Sequence, residues 1–305
     1  MSETANLSSL RKAVIPAGGF GTRFLPVSKS VPKEMLPILG RPVIDFVVAE
    51  AVAAGCSDIC IVLTSGKESI RRYFESAPNL EARLGANGKN RELDLVRGTN
   101  SGATIEFVDQ GEPLGLGHAI LAAREFTADE PFLVLLGDTI LDPPASRDLV
   151  GFHRQTAMSS VSVEDVEEPL VSRYGIVGPD AASHPDEVNP RNAVRGTDEP
   201  FRLSSLVEKP SPETAPSLWA VAARYVFTPA LWRHLERSDP AAGGEIDLTE
   251  AMDSLSRDAR LGAGIYAVPI PGSRYDLGNP IDFLAAEIEI ARRSLSDDVL
   301  NRLGL

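Results

Sequence analysis

Ala13-Val14-Ile15-Pro16-Ala17-Gly18-Gly19-Phe20-Gly21-Thr22-Arg23 is the stretch on which the fold turns. Three apolar residues ending at a proline read as a short buried strand. The glycines Gly18, Gly19 and Gly21 then make a turn in which backbone N–H groups can approach anionic oxygens closely, because no Cβ intervenes. A cation, Arg23, follows at once. The pattern predicts a phosphate cradle at the carboxyl end of a strand. Two other phosphate motifs fail: Gly19-Phe20-Gly21 begins like a dinucleotide fingerprint but ends on Phe24, and no G-x-x-x-x-G-K-[ST] loop is present.

Working outward, the apolar residues Ile44, Val47, Val48, Ala51 and Val52 share one face of a helix expected over 42–54, ended by Gly55. A strand is expected over 58–63, a helix over about 67–76, a strand over 103–108 and a helix over 114–125. The wholly apolar run 132–136 then leads straight into Gly137-Asp138. Strand and helix alternate at short intervals, which predicts an α/β fold: a parallel sheet with helices on both faces. Ligands on such sheets sit at carboxyl ends of strands, here Gly18–Arg23 and Asp138. Further on, strands are expected at 202–207, 220–227 and 264–269, and helices at 229–236, 247–258 and 281–294. Residues 1–11 read as a flexible lead and 12–305 as a single domain, with insertions at about 78–101 and 179–200.

The chain of 305 residues is 43% hydrophobic and carries a formal net charge of -13. Such an acidic surface repels a phosphate backbone, which argues against nucleic acid as a partner. No apolar run is long enough to span a bilayer and the first residues are polar, so neither a membrane partner nor a leader is expected, and the expected location is cytoplasmic. Cys56 and Cys60 read as reduced core thiols, since a zinc site would need two more ligands nearby. Hydrolase signatures, G-x-S-x-G and H-E-x-x-H, are absent, and the four histidines (118, 153, 184 and 234) have no ligand-pair spacing.

An acidic protein that binds phosphates needs local positive charge, and four more segments bear on this. Pro26, Pro32 and Pro37 are expected to hold Ser28-Lys29-Ser30-Val31-Pro32-Lys33-Glu34-Met35 extended and stiff, fixing Lys33 near the cradle. Asp138, at the end of an apolar strand, is a candidate magnesium ligand; a turn or capping aspartate is the alternative, and Asp276 is a possible second carboxylate. Val207-Glu208-Lys209-Pro210 offers a carboxylate for sugar hydroxyls and an ammonium for a sugar phosphate, although taken alone it reads as a surface ion pair. In Gln110-Gly111-Glu112-Pro113-Leu114-Gly115-Leu116-Gly117-His118, the Gln110 amide can both donate to and accept from a pyrimidine edge. His118 reads either as a general base or as a structural histidine at a helix start.

Together, G-G-F-G-T-R, P-K-E-M-L-P, Q-G-E-P-L-G-L-G-H-A, G-D, V-E-K-P, E-I-D-L-T-E-A and D-L-G-N, in this order over about residues 12–290, resemble the bacterial sugar nucleotidyltransferases, in particular their UTP–glucose-1-phosphate uridylyltransferase branch. The resemblance implies a Rossmann-like mixed, mainly parallel sheet with small β and helical insertions. It implies that Ala17, Gly18, Glu34, Gln110 and Gly115 hold the uridine, with Gly19, Gly21 and Thr22 in the same cradle. Arg23 and Lys33 would hold the triphosphate, Asp138 (with Asp276 as a second ligand) the magnesium ion, and Gly175, Glu208 and Lys209 the glucose 1-phosphate. A homodimer or homotetramer is also implied.

Three positions depart from the family pattern: Gly137 where proline is usual, Ala223 where glycine is usual, and Asp247 where glutamine is common. They leave open a thymidylyltransferase or a uridylyltransferase for another sugar 1-phosphate. A catalytically silent paralogue is a further alternative, against which the intact Gly21-Thr22-Arg23 argues. A dinucleotide-binding oxidoreductase fails on Phe24. The implied chemistry is in-line displacement at a nucleotide α-phosphorus. It calls for glycines, cations and a magnesium carboxylate, and no Ser–His pair.

Overall fold

The structure, a computed structural model, describes residues 10–100, 102–180, 196–238, 244–258, 260 and 263–304. Most of the expected lead at 1–11, and most of the expected excursion at 179–200, lies outside the described residues.

The chain starts with strand β1 (Lys12–Pro16), a small hairpin of β2 (Pro37–Ile38) and β3 (Arg41–Pro42), helix α1 (Val43–Ala53) and strand β4 (Asp58–Leu63). Helices α2 (Glu68–Phe74), α3 (Pro78–Ala86) and α4 (Asn90–Arg97) lead to strand β5 (Thr104–Asp109). Next come α5 (Gly115–Ala122), α6 (Arg124–Thr127), β6 (Phe132–Leu135), β7 (Thr139–Asp142), α7 (Ser146–Thr156), β8 (Ser159–Asp165) and β9 (Gly175–Pro179). The remainder is β10 (Phe201–Glu208), β11 (Trp219–Phe227), α8 (Ala230–Leu235), α9 (Leu248–Ser256), β12 (Ile265–Pro269), β13 (Ser273–Asp276), α10 (Pro280–Ser294) and α11 (Asp297–Leu303). No described helix is long and apolar enough to cross a membrane.

Nine strands form one sheet in the order β5-β4-β1-β6-β11-β8-β12-β10-β9. The β5-β4-β1-β6 half is parallel throughout, as the alternating pattern predicts. Beyond β6 the sheet is mixed: β11 runs antiparallel to both β6 and β8, and β10 antiparallel to β12 and β9. Strand β11 also touches β9 at Ala220 and Ile176, so the five strands of this half curl back on themselves.

Strand period explains the two-sided core. In β1, Val14 points to one face while Ala13 and Ile15 point to the other. The Val14 side packs with Ile120 of α5, Leu231 of α8 and Leu248 of α9. The Ile15 side packs with Val47 of α1, Ile70 of α2 and Leu149 of α7. A smaller cluster of Ile38, Val43, Ile140, Leu277 and Ala286 ties β13 and α10 to the body of the protein. The end of β13, which carries Asp276, is thereby held against the start of β7, just past the carboxyl end of β6.

Candidate nucleotidyltransferase site

Strand β1 delivers the cradle. Ala17 N–H donates to the Val62 carbonyl at 2.8 Å, so the parallel ladder continues one residue past the strand. Gly21, at φ +62°, then reverses the chain into a short 3₁₀ turn, Thr22–Phe24. Strand β6 delivers Asp138. Gly137 N–H donates to the Pro16 carbonyl at 3.2 Å, and a Cβ at Gly137 would come within 3.0 Å of that same oxygen. Glycine here lets the Asp138 loop lie directly on the cradle, and its N–H makes a bond that the usual family proline cannot.

The proline-rich segment is not extended, as its prolines suggest. It folds as two 3₁₀ turns, Val27–Lys29 and Lys33–Met35, because proline fixes φ in a range these turns share. The outcome for Lys33 is still a fixed position: its ammonium pairs with the Asp138 carboxylate. Burial alone would raise the Asp138 carboxyl, but the Lys33 ammonium more than offsets it and holds the group below its ordinary value. Burial would likewise lower Lys33, and Asp138 and Glu34 overcome it, so the ammonium is held above its ordinary value.

Glu34 is buried, and both of its carboxylate oxygens accept from Lys67 Nζ, at 2.9 and 2.7 Å. Burial pushes Glu34 up and Lys67 down despite their mutual attraction. Sequence reading missed Lys67. Its signal was its place just past the carboxyl end of β4, where the cradle and Asp138 stand on their own strands.

Two adjoining pockets meet at Asp138. One is lined by Ala17, Gly18, Gly19, Lys33, Glu34, Gln110 and Gly115. The other is lined by Tyr174, Gly175, Glu208, Lys209, Thr249 and Asp276. Gly115, Leu116, Leu136, Asp138 and Glu245 line both. The nucleotide and sugar candidates thus fall into separate pockets with the metal candidate between them. Gly21, Thr22 and Arg23 stand outside both linings. Arg23 is exposed, and its guanidinium borders the space beside Gly278, 3.4 Å from where a Cβ would stand; Asp276 Oδ1 borders the same space at 2.8 Å.

Asp276 comes beside Asp138 through the β7–β13 ladder, in which Asp276 faces Thr139 and Leu277 N–H donates to the Asp138 carbonyl at 3.0 Å. Asp138 at the junction and Asp276 in the lining of the second pocket offer two hard-oxygen carboxylates, the number magnesium takes from protein when it binds phosphates. Among the described residues, no three His, Cys, Asp or Glu side chains cluster as a full protein cage.

In the second pocket, Glu208 Oε1 pairs with Lys209 Nζ and Oε2 accepts from Thr249 Oγ1, each at 2.8 Å. Thr249 lies in the first turn of α9, which Asp247 caps by accepting from Thr249 N–H at 2.8 Å. Arg274 stacks on the Tyr174 ring at 3.8 Å, donates to the Val221 carbonyl at 3.0 Å and pairs with Glu164, so Tyr174 is fixed just before Gly175. Thr249, although it lies within the E-I-D-L-T-E-A motif, and Arg274 were not singled out from the sequence.

A family model described as nucleotidyl transferase matches residues 12–293, and the chain belongs to that family. Among its relatives, the UTP–glucose-1-phosphate uridylyltransferase of Bacillus subtilis is 40% identical over 287 residues, covering 93% of this chain and 92% of the relative. The enzyme of that name from Streptococcus pyogenes is 39% identical, covering 93% and 90%. Among solved structures, a UTP-bound UGPase from Acinetobacter baumannii superposes with a TM-score of 0.83 at 31% identity, covering 96% of this chain and 98% of that one. A UDP-glucose pyrophosphorylase complexed with UDP-glucose gives 0.76 at 30% identity, covering 93% and 99%.

Proposed function

We propose that this chain converts UTP and α-D-glucose 1-phosphate to UDP-glucose and pyrophosphate. The observation that carries the reading is the pair of pockets joined at Asp138. Relatives with full-length likeness bear the corresponding name, and one solved relative holds UTP and another UDP-glucose.

A phosphate oxygen of the sugar phosphate attacks the α-phosphorus. A new P–O bond forms, the bond from the α-phosphorus to the bridging oxygen breaks, and pyrophosphate leaves with that electron pair. A phosphate monoester has a second pKa of about 6, so the nucleophile is largely dianionic near neutral pH and needs no general base. The chain's residues align two polyanions and neutralise their charge. The cradle N–H groups and Lys33 serve the nucleotide phosphates, Arg23 would have to swing in from its exposed turn to join them, and Glu208 and Lys209 serve the sugar and its phosphate. Asp138, with Asp276, would hold magnesium, which supplies electrostatic stabilisation of the phosphate oxygens when bound.

Pyrophosphate release across a panel of nucleoside triphosphates and sugar 1-phosphates tests the reading. UTP with glucose 1-phosphate should give the highest kcat/KM. A preference for dTTP, or for galactose 1-phosphate or glucosamine 1-phosphate, would overturn the substrate assignment.

A further inference from the structure

His118 belongs neither to the phosphate chemistry nor to the core. Gln110 is buried, yet its carbonyl oxygen lies against Gly18, 2.8 Å from where a Cβ at Gly18 would stand. Only glycine at position 18 leaves that oxygen open to the nucleotide pocket. The amide nitrogen points the other way. It donates to the Gly115 carbonyl at 3.1 Å and faces His118 Nδ1 at 3.1 Å.

The orientation follows from chemistry. The Gly115 carbonyl can only accept, so the Gln110 atom facing it is the –NH₂ group. That group then has one N–H left, and His118 Nδ1 takes it. Nδ1 therefore carries a lone pair, and the ring proton sits on Nε2. Both amide hydrogens are consumed, so Gln110 offers the pocket an acceptor and no donor. The sequence alone allowed both roles.

We infer that His118 is a positioning residue for nucleobase selection: it ties back the Gln110 amide so that the pocket accepts a base presenting N3–H, as uracil and thymine do, and disfavours cytosine, whose N3 is itself an acceptor. The inference rests on the reading that Gln110 meets the base. A site whose buried polar groups are left unpaired by the wrong ligand discriminates strongly. Without the His118 acceptor, the Gly115 carbonyl alone holds the amide nitrogen away from the pocket, so the flipped amide, which would present N–H to cytosine N3 at the expense of the Gly115 bond, costs less.

The test compares kcat and KM for UTP and CTP in wild type, His118→Ala, His118→Asn and Gln110→Leu, with glucose 1-phosphate saturating. Asn places Oδ1 about where His118 Nδ1 stands. For His118→Ala, the expected result is a several-fold higher KM for UTP, little change in kcat, and a UTP:CTP selectivity reduced by about tenfold, the size of one misplaced hydrogen bond. His118→Asn should restore the wild-type ratio. If Gln110→Leu leaves the UTP KM unchanged, the base-site reading itself fails. If Gln110→Leu raises it while His118→Ala keeps wild-type KM and selectivity, the role of His118 fails. Should His118→Ala not fold, side-chain nitrogen NMR of histidine-labelled wild type decides: the Nε2-protonated tautomer at His118 is expected, and the Nδ1-protonated one overturns the inference.

Discussion

Arg224 reaches across the interior to Glu50: its Nε and Nη2 donate to the two carboxylate oxygens at 3.0 and 2.7 Å, and Nη2 also donates to the Thr139 carbonyl at 2.8 Å. Arg224 is wholly buried, and Ser146 Oγ completes the shell of Glu50 at 2.6 Å. The pair links α1, α7 and β11 to the residue that follows Asp138. A buried guanidinium therefore braces the metal-candidate loop from behind, without facing either pocket.

Removing one member of such a pair leaves a buried charge without its partner, which typically costs about 3–5 kcal/mol. Arg224→Leu should lower the urea unfolding free energy by roughly that amount, and adding Glu50→Leu should recover much of it. Loss of under about 1 kcal/mol in the single variant would show that Glu50 finds another partner or takes up a proton at little cost.

Ala223, just before Arg224, has φ +65°, in the left-handed region where a Cβ is strained. The register of β11 against β8 shifts between Val221 and Tyr225, so Ala223 sits in an irregularity that turns Arg224 inward. Relief of a left-handed alanine is worth about 1–2 kcal/mol, and the entropy of glycine takes back about half. Ala223→Gly should raise unfolding stability by about 0.5–1 kcal/mol. A fall in the denaturation midpoint would contradict the strain argument.

Much of the parallel half of the sheet was legible because its residues are simple. Ile59 to Leu63 and Phe132 to Leu135 are apolar and buried, and α1 keeps its helical stripe. Strand β8 was not legible. Its Ser159, Ser160 and Ser162 look like loop residues, yet all three are fully buried. Ser162 exchanges bonds with the backbone of Arg224, and Ser159 Oγ lies 3.2 Å from Thr228 Oγ1. Polar strands of this kind are stabilised by partners far away in sequence, which no local pattern records. The same holds at the site. Glycines and strand ends announced the cradle and Asp138, whereas the Lys67 partnership of Glu34 and the Arg274 stack on Tyr174 exist only through the fold.

Cys56 and Cys60 occupy opposite faces of the sheet core, and burial pushes each thiol up to about 12. The thiolate is the reactive form, so both should be inert in the native state. Mass spectrometry after iodoacetamide near pH 8 should show no alkylation of the folded protein and two adducts in denaturant. Rapid native labelling of either cysteine would show that the core opens locally.

Arg23 and Lys33 are both assigned to phosphate binding, but their settings differ enough to predict different failures. Arg23 stands exposed on a short 3₁₀ turn, away from the hydrophobic core. Lys33 is largely buried and neutralises Asp138. Arg23→Ala should therefore reduce kcat by about 10²–10³-fold, as loss of a transition-state donor does elsewhere, with the melting temperature unchanged. Lys33→Ala should reduce activity and also lower the melting temperature, because Asp138 is left beside Glu34 with less positive charge nearby. Magnesium should restore part of that lost stability in Lys33→Ala, since a cation at Asp138 replaces the missing ammonium. Thermal shift with and without magnesium, run beside pyrophosphate release, reads all three effects. Near-normal turnover in Arg23→Ala would remove that residue from the mechanism, and a magnesium-insensitive melting temperature in Lys33→Ala would remove Asp138 as a metal ligand.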